Sequence, residues 1–162
     1  MASTRATTTA ITEDRLLILG PDEGTAYPGD VLQKVEASQT GGHWGVAVVW
    51  GVPGEGGQTH IHDGEAEAFF ILEGTVDFLG ATSRTPLGPG SFVLVPPDTE
   101  HGVRITGSGP ARWLAIWPAA LDGMFSEIGS IEDVNQEAYD QVRLRHGVRA
   151  GRDRRDEFAG QG

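Results

Sequence analysis

Residues 54–74 read GEGGQTHIHDGEAEAFFILEG, and the placing of His60, His62 and Glu67 within them decides how the rest of the chain is read. Extended backbone sends successive side chains to opposite faces, so His60 and His62 share a face with their Cα atoms roughly 7 Å apart. Two imidazoles so placed can grip one ion. Asp63-Gly64 then offers a tight reversal, and residues 68–72, AFFIL, read as a returning strand closed by Gly74, which predicts a hairpin. Glu67 opens that strand with the parity of Phe69 and Ile71, so its carboxylate faces inward beside the histidines while Phe70 and Leu72 face away. Glu65 has the same parity and is its rival, but it lies in the turn, whereas Glu67 heads the apolar run.

The 162 residues suffice for one domain with a substantial core and no covalent staples. There is no cysteine, which excludes disulfides, thiolate metal sites and a cysteine nucleophile, and suits a reducing cytoplasm. Residues 1–12, MASTRATTTAIT, lack the apolar run of a secretory signal, and no apolar run reaches the length of a membrane span. The expectation is a cytoplasmic protein with no membrane partner. The 24 glycines and 9 prolines fall between short apolar runs, which signals many turns and a sheet-rich fold. Net charge is −11, unevenly spread: six Lys/Arg stand against twenty Asp/Glu as far as Asp140, and six Arg against three Asp/Glu after it. The acidic body would repel phosphates and argues against a nucleic-acid partner. The arginines from Arg143 to Arg155 read as a solvated tail lying on an acidic face of its own or a neighbouring subunit.

Residues 1–12 offer nothing to bury and are expected to be disordered. Segments 15–19, 30–38 and 44–52 read as strands, the third apolar on both parities and so covered on both faces. Strands at 75–79, 84–87, 91–95, 101–105 and 111–117 follow with turn signals between them, which points to an antiparallel double-sheet barrel or jelly roll. Past Pro118 the apolar period lengthens. Leu121, Met124, Phe125 and Ile128 mark one side of a short helix; a second, capped by Ser130 with Asp133 at the capping-box position, carries Ile131, Val134, Ala138 and Val142 and stops at Gly147. The expected layout is a barrel over 13–129, a helix over 130–149 and a flexible basic tail over 150–162.

A second stretch, GPGSFVLVPPDTEHGVRI at 88–105, begins a strand at Gly90, ends it at Pro96 and delivers His101 from a short loop, on the parity of Val103 and Ile105. The stretch at 54–74 resembles the first motif of the cupin superfamily, with Gly54, His60, His62, Glu67 and Gly74 at matching spacing, and this second stretch resembles the second cupin motif at Gly90, Pro96 and His101. The likeness covers about 15–128 and is to small one-barrel cupins of the quercetin-dioxygenase-like group. Two positions depart from the pattern. Asp98 stands where it usually has Gly and Ile105 where it often has Asn, and neither is a ligand position.

The resemblance implies an all-β, antiparallel double-stranded β-helix, a jelly-roll barrel with C-terminal helices. It also implies one divalent transition metal (iron, nickel, manganese, copper or zinc) held by His60, His62, Glu67 and His101. Three neutral imidazoles and a carboxylate suit a borderline first-row ion and leave room for water, dioxygen or substrate. Phe69, Ile71, Phe92, Leu94 and Val103 are expected to line an apolar pocket above it. His43 reads as a loop histidine, Glu100 as an exposed loop carboxylate, and Trp44, Trp50, Trp113 and Trp117 as core or interface. The implied activity is dioxygenase-like, on a small oxygen-bearing aromatic or enolic molecule, with dioxygen as co-substrate and Glu67 as catalytic base. The alternatives are a redox-neutral cyclase, isomerase or lyase using the metal as Lewis acid, and a non-catalytic small-molecule-binding barrel. The family likeness and the two-sided third strand together imply a homodimer.

Overall fold

The computed structural model describes residues 15–131 and 135–158. The segment 1–12 read as disordered, the end of the basic tail, and the helix positions Asp133 and Val134 lie outside the described residues. Alternation in β5 (Glu67–Glu73) sets the architecture: Glu67, Phe69 and Ile71 are buried, Phe70 and Leu72 exposed. β10 (Ala111–Pro118) likewise buries Ala111, Trp113, Ala115 and Trp117 on one face. It pairs antiparallel with β5 on one side and with β3 (Trp44–Gly51) on the other. With β1 (Thr25–Tyr27), β2 (Val31–Val35) and β8 (Phe92–Val95) they form a six-stranded sheet in the order β1-β2-β3-β10-β5-β8. A five-stranded sheet faces it, built from β4 (Gln58–His62), β6 (Val76–Gly80), β7 (Arg84–Leu87), β9 (His101–Ile105) and β11 (Val148–Asp153) in the order β11-β4-β9-β6-β7. Ile71, Val76 and Leu79 are fully buried between the layers, each stabilising the fold by about 1.5–3 kcal/mol. This is the double-stranded β-helix that the sequence implies.

Three local expectations are corrected. The hairpin expected at 58–72 does not form, because β4 and β5 belong to different sheets. The chain crosses the barrel at 63–66, and this turns the inward face of β4 toward that of β5 instead of laying the two side by side. Segment 15–19 is not a strand but holds a single bridge residue, Leu17; the edge beside β2 is taken by β1. The second strand ends at Val35, where the chain winds into a 3-10 turn at Ala37–Thr40.

Two helices close one end of the barrel. In α1 (Ala119–Gly129) Leu121, Met124 and Ile128 are buried, and Phe125 stacks on Trp117 with ring centroids 4.9 Å apart. Asp122 in its first turn accepts from Trp117 Nε1 at 2.7 Å and from Gln33 Nε2 at 2.5 Å, tying the helix to both β10 and β2. α2 (Gln136–Arg145) is capped by Asn135, whose Oδ1 accepts from the Ala138 amide at 2.9 Å. Ser130, expected to be that cap, instead finishes α1 by donating to the Glu127 carbonyl at 2.7 Å. Gly147, at φ 71°, ends α2 as expected. Among the described residues no helix is long and apolar enough to cross a membrane.

The segment 150–162 is not a flexible tail as far as it is described. β11 runs antiparallel to β4, with Val148 opposite His62 and Ala150 opposite His60. The Glu100 carboxylate pins it. Glu100 Oε1 accepts from the Arg152 amide at 2.7 Å and from the buried Thr59 hydroxyl, which also lies 2.9 Å from the Arg152 carbonyl. Glu100, read as a solvated loop carboxylate, is therefore a clamp, and the Thr59 hydrogen bond followed by that of the Arg152 amide lowers its pKa. Arg154, buried, donates to the carbonyls of Gly80 and Ser83 and locks the end of the segment onto the β6–β7 turn. We expect Glu100→Ala to cost about 1–3 kcal/mol, the usual loss for a hydrogen-bonded carboxylate. Hydrogen exchange should quicken at 148–153 while the amides of β5 and β10 keep their protection, and uniform loss across the barrel would contradict the clamp.

Candidate metal centre

β4 carries His60 and His62 on its inward face, and β9 runs beside it with His101 directly opposite His60. The approach is close because residue 102 is Gly: a Cβ there would stand 2.5 Å from the Gln58 carbonyl oxygen. In the loop before His101, Asp98 stands at the position where the resemblance has Gly. Asp98 sits at φ 58°, in the left-handed region; Asp tolerates this better than most residues. Its Oδ1 accepts from the Gly64 amide at 3.0 Å, and its own amide donates to the His62 carbonyl at 3.0 Å. Glu67 reaches in from β5, in the opposite sheet. Its Oε2 lies 2.9 Å from His62 Nε2 and 3.0 Å from His101 Nε2. The three imidazole rings are mutually adjacent, with centroids 4.3–5.3 Å apart.

One donor atom from each of His60, His62, Glu67 and His101 falls within 4.8 Å of all the others. With metal–donor bonds of about 2.0–2.2 Å, two donors on one ion stand at most about 4.4 Å apart. The four donors are therefore close enough to converge on one ion, and the 2.9 and 3.0 Å separations of Glu67 Oε2 from His62 and His101 are those of adjacent ligands. The protonation pattern points the same way. His101 Nδ1 lies 2.9 Å from the Thr99 carbonyl, which can only accept, so the ring proton sits on Nδ1. With Nδ1 donating there, Nε2 faces Glu67 Oε2 at 3.0 Å, a separation that either a shared proton or a metal ion can bridge. A histidine whose outer nitrogen donates to a backbone carbonyl is also the usual arrangement of a metal ligand. The donor set fits a divalent transition metal.

Two of the four groups have strongly moved proton affinities. Burial pushes His60 down to about 3, reinforced by His101, His62 and Arg143 and opposed by Glu67. Burial would raise Glu67, but the His101 and His62 hydrogen bonds outweigh it and bring the carboxyl down to about 2. At neutral pH His60 is thus an uncharged imidazole and Glu67 a carboxylate, the forms that bind metal.

The cluster forms the floor of a cavity of about 210 Å³. Phe69 and Val103 line it as expected. The other three expected wall residues are corrected. Ile71 points inward but is sealed in the core away from the cavity, and Phe92 and Leu94 lie on the outer face of β8, 61 % and 63 % exposed. Strand parity explains this: Phe92 pairs with Phe70 and Leu94 with Ala68, so both share the outward side of β5. His43 is exposed in the turn before β3, and Glu65 is half-buried beside the crossing. Trp113 and Trp117 are buried and line the cavity, whereas Trp44 is exposed.

The C-terminal segment supplies cavity wall that the sequence reading left out. Tyr139 and Arg143, one turn apart on α2, and Val148 of β11 all face the cavity. The only signal for them was the i, i+4 spacing of Tyr139 and Arg143 beside the apolar stripe. Arg143 is 8 % exposed. Its guanidinium lies over the Tyr139 ring at 5.5 Å and 3.8 Å from Asp140 Oδ1. A cation–π contact contributes about 0.5–2 kcal/mol, against several kcal/mol for taking a cation out of water.

The family model described as the cupin domain matches residues 51–117. Quercetin 2,3-dioxygenase of Bacillus subtilis (strain 168) is 28 % identical over 103 residues, which cover 62 % of this chain and 31 % of that protein. Glucose-6-phosphate isomerase of Thermococcus kodakarensis is 35 % identical over 68 residues, 39 % of this chain and 36 % of that protein. The chain thus spans about a third of the length of the curated relatives it matches. Among solved structures, an uncharacterized conserved protein with a double-stranded beta-helix domain from Klebsiella pneumoniae superposes with a TM-score of 0.55. It is 17 % identical, over 83 % of this chain and 96 % of that one; at this identity the likeness is one of fold.

His60 gives the metal-free protein a distinct acid response. Its folded-state pKa, about 3, lies below the usual histidine value of 6.5, so the unfolded chain takes up a proton that the folded one refuses as pH falls below 6.5. Stability contributed by neutral His60 is whole above that value and lost between it and about 3, at up to about 1.4 kcal/mol per pH unit. We expect denaturant unfolding of the metal-free protein to show this slope and His60→Asn to flatten it by close to one proton. Parallel profiles for the two proteins would contradict the placement of His60.

Proposed function

The chain carries one barrel of the cupin superfamily, and on that premise we propose that it is a metal-dependent, dioxygenase-like enzyme acting on a small oxygen-bearing aromatic or enolic molecule with dioxygen. The observation that carries this reading is the convergence of four donor side chains on the floor of a cavity walled by apolar and aromatic groups. When bound there, a divalent ion supplies Lewis acidity and, where it is iron, nickel, manganese or copper, access to dioxygen. The dioxygenase reading draws on the likeness to the Bacillus subtilis enzyme.

The chain's own residues account for the remaining roles. Phe69, Val103 and Trp113 exclude water and so strengthen every charge interaction inside the cavity. The Thr99 carbonyl fixes the orientation and tautomer of His101. Glu67 is the catalytic base, taking the proton of the substrate's hydroxyl or enol at Oε2, the oxygen that His62 and His101 hold in place. So weakly basic a carboxylate accepts only from a donor whose own acidity has been raised, which confines proton transfer to substrate seated in the site. A redox-neutral isomerase, cyclase or lyase is the second reading, favoured by the likeness to the Thermococcus kodakarensis isomerase; it keeps the same base and the same cavity.

We also propose that the protein is a homodimer. Phe70, Phe92, Leu94 and Ile116 are all exposed on one face of the six-stranded sheet, with β8 at its free edge. Contiguous exposed apolar surface of this kind marks an interaction site, and an edge strand can pair with its own copy.

Two experiments test these readings. Elemental analysis of the purified protein should find close to one transition-metal ion per chain, and oxygen uptake should follow addition of a small enediol. His62→Ala and Glu67→Ala should lose the metal and roughly 100-fold or more of the activity, yet keep the barrel's circular dichroism. Full turnover under nitrogen with zinc bound transfers the site to the redox-neutral reading. Absence of metal, with a melting temperature indifferent to added ions, leaves only a binding barrel. In light scattering, the protein should run as a dimer and Leu94→Glu as a monomer; an unchanged mass for the variant would remove that sheet face as the interface.

A further inference from the structure

Arg143 is the one charged group in the cavity that the proposed chemistry leaves without a role. It differs from the other buried arginine among the described residues. Arg154 is fully engaged, donating to the carbonyls of Gly80 and Ser83 and to Glu157. Arg143 has no hydrogen-bond acceptor among the described residues. Its contacts are the Tyr139 ring at 5.5 Å and Asp140 at 3.8 Å, beyond hydrogen-bond length. Both lie on α2 beside it, so they aim the guanidinium without saturating it. Its five N–H donors share a cavity with His60, and its charge is felt there as one of the causes that lower the basicity of His60.

We propose that Arg143 is the anion anchor of this cavity and that the substrate is a small carboxylic acid, its carboxylate on the Arg143 fork and its oxygen-bearing end toward His60, His62, Glu67 and His101. This rests on the reading of that cluster as a metal site and adds the substrate's chemical class. A planar guanidinium matches a carboxylate with two parallel hydrogen bonds. A phosphate ester is the weaker match: among the described residues Arg143 is the only Lys or Arg lining the cavity, and the half-exposed Asp140 beside it repels a second negative charge. Size sets the other limit. At about 210 Å³ the cavity falls below the ~300–1,000 Å³ of pockets for drug-sized ligands, which favours a one-ring or short acyclic acid over a three-ring flavonol. The aromatic walls, Phe69, Trp113, Trp117 and Phe125 among them, favour the ring.

The test is a binding measurement on chelator-treated, metal-free protein, so that a carboxylate cannot score by coordinating an ion. Benzoate and its neutral isostere benzamide are titrated by calorimetry, with quenching of tryptophan fluorescence as a second readout. The expected result is benzoate binding at least tenfold tighter than benzamide. Arg143→Gln should abolish the difference, and Arg143→Lys should retain part of it. In both variants metal stoichiometry after reloading and melting temperature should match the parent. Equal affinity of the two probes for the parent protein overturns the proposal, as do undetectable benzoate binding at millimolar concentration and an unchanged preference in folded Arg143→Gln. Displacement of benzoate by equimolar inorganic phosphate overturns the carboxylate assignment. A benzoate preference in a protein that takes up no metal keeps the anchor and removes the metalloenzyme reading; metal uptake with no preference does the reverse.

Discussion

The interior site of this barrel is organised by a contact made across it, that of the Glu67 carboxylate from one sheet with His62 and His101 from the other. All three side chains are at least 95 % buried, where an uncompensated carboxylate would cost several kcal/mol. The sheets are therefore not free to slide. A slip of one residue in β5 would turn Glu67 outward and bring Phe70 in, so the polar contact and the apolar alternation specify the same register. The same contact explains the crossing at 63–66: only by changing sheets can neighbouring strands in sequence face each other through the interior. Gly102, which lets β9 lie close against β4, and the loop held by Asp98 are local conditions for the same meeting.

His101 Nε2 and Glu67 Oε2 need a proton or a metal ion between them, which packing alone does not supply. The barrel is held by Ile71, Val76, Leu79 and their neighbours, which are sealed without any help from the cluster. The donor set is thus carried by a core that does not need it for support. It can keep its groups in their uncharged or ionised binding forms, His60 held neutral by burial and Glu67 held ionised by its hydrogen bonds.

The parts legible in the sequence were those written in short-range patterns. Inward parity of His60, His62 and Glu67, alternation in β5 and β10, the apolar side of α1 and the stop at Gly147 each follow from a period of two or 3.6 within a few residues. Long-range pairing was less legible. Asp63-Gly64 carries the chemistry of a hairpin turn, yet β4 pairs with β9 and β11, and nothing local in the sequence distinguishes a hairpin from a crossing between sheets. Phe92 and Leu94 are apolar and lie within the second motif, but their parity relative to β5 is set by register, which only the pairing reveals. Segment 148–153 was missed for the opposite reason. VRAGRD is polar, charged and interrupted by Gly, and it is a strand because Thr59 and Glu100 hold its backbone, not because its side chains seek burial.

That last miss bears on what relatives can say about this chain. The cupin family model matches 51–117, which includes all four donor residues, while Tyr139, Arg143 and Val148 come after it. The cavity is thus divided in the chain: its floor is the portion shared with other proteins, and much of the wall opposite is supplied by α1, α2 and β11 beyond the shared portion. The four donor side chains belong to the floor. Size, charge preference and the exclusion of larger molecules belong to the wall, since discrimination between substrates comes from the groups that touch their non-reacting parts. A relative that shares only the floor can accept a molecule this cavity would refuse, so on the proposed reading the ligand is to be sought from Arg143 and the aromatic walls and not from the substrates of proteins similar over 51–117.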